Sequence, residues 1–339
     1  MAVKITGFIL LIVVLFACNS RKDIPDVSGI KVDVQMERFE KDFFEIDTNH
    51  ITNGLALIKQ KHPDFYFDFM REILGVDGND TNFNSLSATR EFLRGYTSIY
   101  DSLRLQYANM DWLRKELETH LKFVKFYFPE YKTGNAVTFI GPFDSPGTAL
   151  TNKGFAIGLQ QYAGKDFSAY QNPQMLELFP TYISRRFDKK YISINCIKLI
   201  IDDLFPDHSK GKPLIEQMIE KGKKWYLLDK FLPETADSLR TGYTALQLEW
   251  CKENEGLIWS ILLKNEDLNT IDPVTIQNYL NEGPFTQGFS QESSPGNLGQ
   301  WIGRQIVKKF AEKNPDLKPQ DVMRTDARKI LEEAKYKPK

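Results

Sequence analysis

The chain has 339 residues, 42% apolar and 13% aromatic, with 44 Lys and Arg against 45 Asp and Glu. An apolar fraction of that size can bury a core, which excludes a disordered tail. The near balance of charge leaves no basic surplus for nucleic acid and no acidic solvating segment.

In chain order, a lone Lys4 precedes an apolar run over 5–16. That run is short of the roughly 20 residues a spanning helix needs, and it has the form of a signal-peptide apolar region. Leu15, Phe16, Ala17 and Cys18 follow in lipobox order, with an aliphatic residue three before the cysteine and a small residue next to it. This predicts a lipoprotein signal peptide over 1–17, cleavage before Cys18, and acylation of the Cys18 thiol with palmitate-type chains. Residues 18–29 are polar and aperiodic, a tether. Each buried methylene contributes about 0.8 kcal/mol, so two or more chains anchor a protein stably. One expected partner is therefore the membrane, reached through Cys18. The expected location is the cell envelope, facing the periplasm from either the inner or the outer membrane.

Residues 30–34 alternate apolar and polar and predict a strand. Over 36–47, Phe39, Phe43 and Phe44 stand at helical spacing. Helical periodicity covers 52–74 and 86–107 around a polar loop at 75–84, and a further helix is expected over 110–128 with Asp111 as its N-cap. Two strands, 135–141 and 153–162, flank the turn-rich stretch 141–152, which reads as a hairpin or wide loop. Helices then follow at 175–187, 192–205, 213–228, 242–263, 273–280, 298–312 and 319–333. The expected fold is α+β, predominantly helical with a small mixed or antiparallel sheet, in a single domain over 30–339. Cys196 and Cys251 fall in separate helical patterns and are expected as buried thiols rather than a disulfide.

Motifs that carry chemistry are sparse. The four histidines, His50, His62, His120 and His208, are not paired at i,i+4, and Cys-x-x-Cys and G-x-S-x-G do not occur. No metal, cofactor or catalytic residue is predicted. Glu249 and Glu253 share a helix face, and paired carboxylates can move protons, although a solvated face beside Lys252 is the more ordinary reading. Arg185 and Arg186, and the lysines of 221–224, read as surface charge. The most distinctive stretch is 281–310. A long loop with Gly283, Phe285, Gly288 and Phe289 leads into a helix that sets Gly299 and Gly303 on one face, where missing side chains permit close backbone approach.

Three strings, "IPDVSGIKVDVQMERFEKDFF", "TGYTALQLEWCKENEGLIW" and "NEGPFTQGFSQESSPGNLGQWIGRQIVKKF", resemble the GldB family of gliding-motility lipoproteins, in order along the whole chain after the lipobox. The resemblance implies an envelope lipoprotein of the gliding machinery, with other gliding or secretion-machinery proteins as partners. That family is distantly similar to zincin-like metallopeptidases, which implies a zincin-like fold with 153–162 as the edge strand and 191–206 as the helix that would carry His-Glu-x-x-His. Here that helix reads Asn195, Cys196, Ile197, Lys198, Leu199, so the catalytic role does not carry over and a pseudoenzyme is expected. Its groove would hold a partner segment near Trp225, Phe285, Trp301 and Arg304, residue types that concentrate binding energy. The alternative is an envelope hydrolase built on Glu249 and Glu253.

Overall fold

A computed structural model describes residues 24–79 and 82–339. The expected signal peptide and Cys18 lie outside the described residues. In chain order the elements are β1 (Met36–Arg38), α1 (Phe39–Phe44), α2 (Ile51–Lys61), α3 (Tyr66–Asp68) running into a π-helical turn at Phe69–Ile73, α4 (Phe83–Gln106) and α5 (Asp111–Tyr127). The sheet is completed by β2 (Asn135–Phe139), β3 (Thr148–Thr151) and β4 (Gly154–Gly158). The helical remainder comprises α6 (Pro173–Leu178), α7 (Thr181–Ser184), α8 (Ile192–Leu204), α9 (Leu214–Phe231), α10 (Asp237–Thr241), α11 (Ala245–Glu253), α12 (Glu255–Asn265), α13 (Pro273–Leu280), α14 (Leu298–Lys313), α15 (Pro319–Arg324) and α16 (Ala327–Ala334). The expected α+β class, predominantly helical around a small mixed sheet, is what the chain adopts.

The four strands lie in the order β1-β2-β4-β3, with β1, β2 and β4 parallel and β3 antiparallel to β4. Alternate side chains enter two cores, as the period of two in a strand requires. On one face Val137, Phe139 and Ala156 pack against α1, α2, the segment of α3 and its π-helical turn, and α4, where Phe39, Phe43, Phe65, Phe69 and Phe92 form an aromatic cluster with ring centroids as close as 4.6 Å. The helical spacing of Phe39 and Phe43 serves this cluster. On the other face Ala136, Phe155 and Ile157 meet α5, α8 and the C-terminal half of α9. A third core joins the first half of α9 to α11, α12, α13, α14 and α16. Cys196 belongs to the second of these cores and Cys251 to the third, and both are free buried thiols.

Several boundaries differ from the sequence pattern for local reasons. Residues 30–34 do alternate, burying Val34, but no strand lies beside them; the Val34 N–H donates to Glu118, and pairing starts at Met36. Asp111 is the first helical residue of α5 rather than its cap. The helix predicted over 52–74 stops at Lys61 and resumes as α3. Pro180 ends α6 and starts α7, because it lacks the N–H a continuous helix needs. The span 242–263 divides at Asn254, and Thr244 with Gln247 forms a capping box that starts α11. The span 319–333 divides at Thr325, and Asp326 caps α16.

Candidate functional site

An open groove of about 1190 Å3 runs along β3, one of the two edge strands of the sheet. Its floor includes Pro146, Ala149, Leu150 and Phe155; Asp68, Glu72 and Ile73 stand on one side, and Glu130, Tyr131, Lys132 and Asp203 on the other. The ladder sets which main-chain groups face it. Gly158 N–H donates to Gly147 C=O at 2.9 Å, which makes 147 and 158 a hydrogen-bonded pair. Such pairs alternate in an antiparallel ladder, so 149 with 156 and 151 with 154 are bonded too. The N–H and C=O of Thr148 and Leu150 therefore point away from β4. Leu150 is 37% exposed.

Local sequence explains how so short an edge is held. Residues 152–153 turn β3 back into β4, and Gly154 leaves the turn at φ +136°, where a Cβ would collide with the main chain of Asn135. At the other end the polar loop before β3 is pinned by two glutamines. The Gln160 side-chain carbonyl accepts from Gly141 N–H and its amide donates to Ser145 Oγ, while Gln161 donates to the carbonyls of Phe143 and Ser145. The expected edge strand, 153–162, forms β4, which is interior; the edge is β3, hidden in sequence inside a turn-rich loop.

Trp301 and Arg304 are not on a surface. Trp301 is fully buried and Arg304 is 2% exposed, both inside the packing of α14 on α9. Arg304 reaches Asp229 through Nε at 2.8 Å and Nη2 at 2.6 Å, and Asp237 at 2.5 Å. Arg240 closes the network onto Asp229 at 3.3 Å and Asp237 at 3.4 Å. Burial alone would raise the Asp237 pKa; the Arg304 charge and hydrogen bond outweigh it and hold the carboxyl below its usual range. This network ties α9, α10 and α14 together. Phe285 is half-buried in the loop before α14.

Trp225 does line open space. A cavity of about 220 Å3 lies between α8, α9 and the start of α14, bordered by Trp225, Lys198, Asp202, Lys224, Glu282 and Gln300 among others. Glu249 and Glu253 are exposed on α11, and among the described residues neither has a hydrogen bond to a third polar group. On α8, Asn195 donates to Tyr162 Oη at 3.0 Å and Cys196 is buried, its thiol pushed up by burial. Among the described residues no three His, Cys, Asp or Glu side chains converge as a metal site. Among them too, no helix is long and apolar enough to cross a membrane.

Compared with known proteins, residues 20–338 match the family model described as gliding motility protein GldB. No curated protein and no solved structure matches the chain.

Proposed function

The chain belongs to the gliding motility GldB family, and on that premise we propose that it is a lipid-anchored, non-catalytic part of the gliding apparatus that holds an extended segment of a partner protein along β3. The observation that carries the docking mode is the free edge itself. The strand N–H and C=O of Leu150, which point away from β4 beside a groove of about 1190 Å3, are the chemistry to which another strand adds. Cys18 supplies the anchor, and the partners are other gliding or secretion-machinery proteins. The non-catalytic reading is supported by residue type: if α8 is the counterpart of the zincin helix, Asn195, Cys196 and Leu199 take the positions where that hydrolysis needs histidine, glutamate and histidine.

The experiment is site-specific photo-cross-linking in gliding cells. A cross-linking residue at Leu150 or Asn152 is expected to capture a component of the gliding or secretion machinery, and one at exposed Leu246 on α11 is not. Equal capture from Leu246, or capture from neither groove position, would rule the groove out.

A further inference from the structure

The cavity between α8, α9 and α14 holds an unbalanced charge. Three lysines line it, and two are neutralised: Lys221 meets Asp207 at 2.6 Å and Lys224 meets Asp202 at 2.5 Å. Its other lining carboxylate, Glu282, is paired with Arg186 at 3.0 Å. Among the described residues, no carboxylate or other acceptor lies within bonding distance of Lys198, although its side chain is half-buried on α8. Burial pushes the Lys198 ammonium down to about 8, Arg186 adds to that, and Glu282 and Asp202 oppose it. It is still mostly charged at neutral pH, and withdrawing a cation from water without a counter-ion is costly. Among the described residues that line the cavity, every charge is matched except this one.

We propose that this cavity binds a single carboxylate beside an apolar group, with Lys198 as its counter-ion and Ile201, Trp225 and Leu228 as the apolar wall. The charge selects a monoanion: one positive charge is unmatched, and the lining offers no second one for a further negative charge. The volume, about 220 Å3, equals roughly seven waters at 30 Å3 each, room for one large amino-acid unit. Two sources share this chemistry, a free small carboxylate and the carboxyl terminus of a peptide chain.

Calorimetric titration of the purified protein separates them. The probes are N-acetyl-leucine, N-acetyl-leucinamide, and a hexapeptide ending in leucine with a free or an amidated terminus. The free acids are expected to bind and the amides not. Lys198→Met should weaken the acids at least tenfold with no fall in Tm, whereas Lys252→Met, on exposed α11, should change nothing. If Lys198→Met does not fold, Lys198→Gln removes the charge with less change of polarity. A hexapeptide at least tenfold tighter than the single residue assigns the site to a chain terminus; equal affinity assigns it to a free carboxylate. Amides binding as well as acids, no binding by either acid, or inorganic phosphate binding more tightly than both would overturn the proposal.

Discussion

Gly222 and Gly303 face each other where α9 crosses α14, and neither has room for a side chain. A Cβ on Gly222 would overlap the main chain of Gly303 and Arg304, and one on Gly303 would overlap the carbonyl of Met218. Alanine normally gains about 1 kcal/mol over glycine in a helix interior. Here the overlap is with main chain on a packed helix, which cannot give locally. Gly303→Ala is expected to lose about 2 kcal/mol net, since overpacking at the upper end of its range of about 1–3 kcal/mol exceeds that gain. Gly95 is exposed on α4, and a Cβ there would meet open space, so Gly95→Ala should be stabilising by about 0.5–1 kcal/mol. Urea unfolding of the two variants checks the contrast; equal effects would mean that the helices can move apart.

Replacing Arg304 tests the interior network. Arg304→Met leaves Asp229 and Asp237 with Arg240 alone, and breaking a buried pair on one side costs about 3–5 kcal/mol. Trp301→Ala should cost about 3–5 kcal/mol as a large side chain is deleted from full burial. Both variants are expected to lower Tm. Native stability in either would show that the contacts are dispensable.

His120 gives a pH signature. It is buried on α5, Nδ1 has no hydrogen-bond partner, and burial lowers its pKa from 6.5 to about 4. A lowered folded-state value means that the unfolded chain takes up the proton first. The contribution to stability is therefore full above pH 6.5 and is lost as pH falls toward 4. By pH 4.5 the loss amounts to roughly 2–3 kcal/mol. His120→Leu should flatten this part of the stability profile while leaving the remaining carboxylate effects in place. Urea midpoints of both proteins at pH 7 and 4.5 measure it, and parallel profiles would exclude His120 as the cause.

Leu150→Pro separates docking from folding. Proline has no N–H, but that of Leu150 points away from β4, so the ladder keeps its bonds, as edge positions allow. The expected result is an unchanged Tm within about 1 kcal/mol of stability and loss of gliding in cells that carry only this variant. Normal gliding would count against strand addition at β3.

Cys18→Ala should release the protein from membranes into the soluble fraction and abolish palmitate incorporation. Continued labelling would place the acyl group elsewhere.

How much was visible in the sequence depended on the range of the interactions involved. The glycine face of α14 was legible, and the structure seats Gly299 against the Tyr279 carbonyl and Gly303 against that of Met218. The edge strand was not: four residues, Thr148 to Thr151, sit in a stretch of glycine and proline whose local pattern is that of a turn, and only pairing with β4 makes it a strand. Trp301 and Arg304 have the residue types of an interface, but Trp301 is buried in the apolar core around α14 and Arg304 is held inside by Asp229 and Asp237, far away in sequence. Lys198 is one lysine in the apolar run of α8; that it lacks a counter-ion emerges only when α9 and the Glu282 segment close around it.

α9 contributes Leu227, Leu228 and Phe231 to the core beneath the sheet, and Leu214, Ile215, Met218 and Ile219 to the C-terminal core. A chain that emerges N-terminus first, from a ribosome or an export channel, thus displays β1 to β4 well before the residues that seal their lower face. Until about Phe231 has emerged, that face has α5 and α8 but lacks the α9 part of its cover, and it offers apolar surface to holding chaperones. A premature stop ahead of α9 removes side chains from both cores at once, and such a product is expected to be proteolysed rather than to serve in part at the membrane.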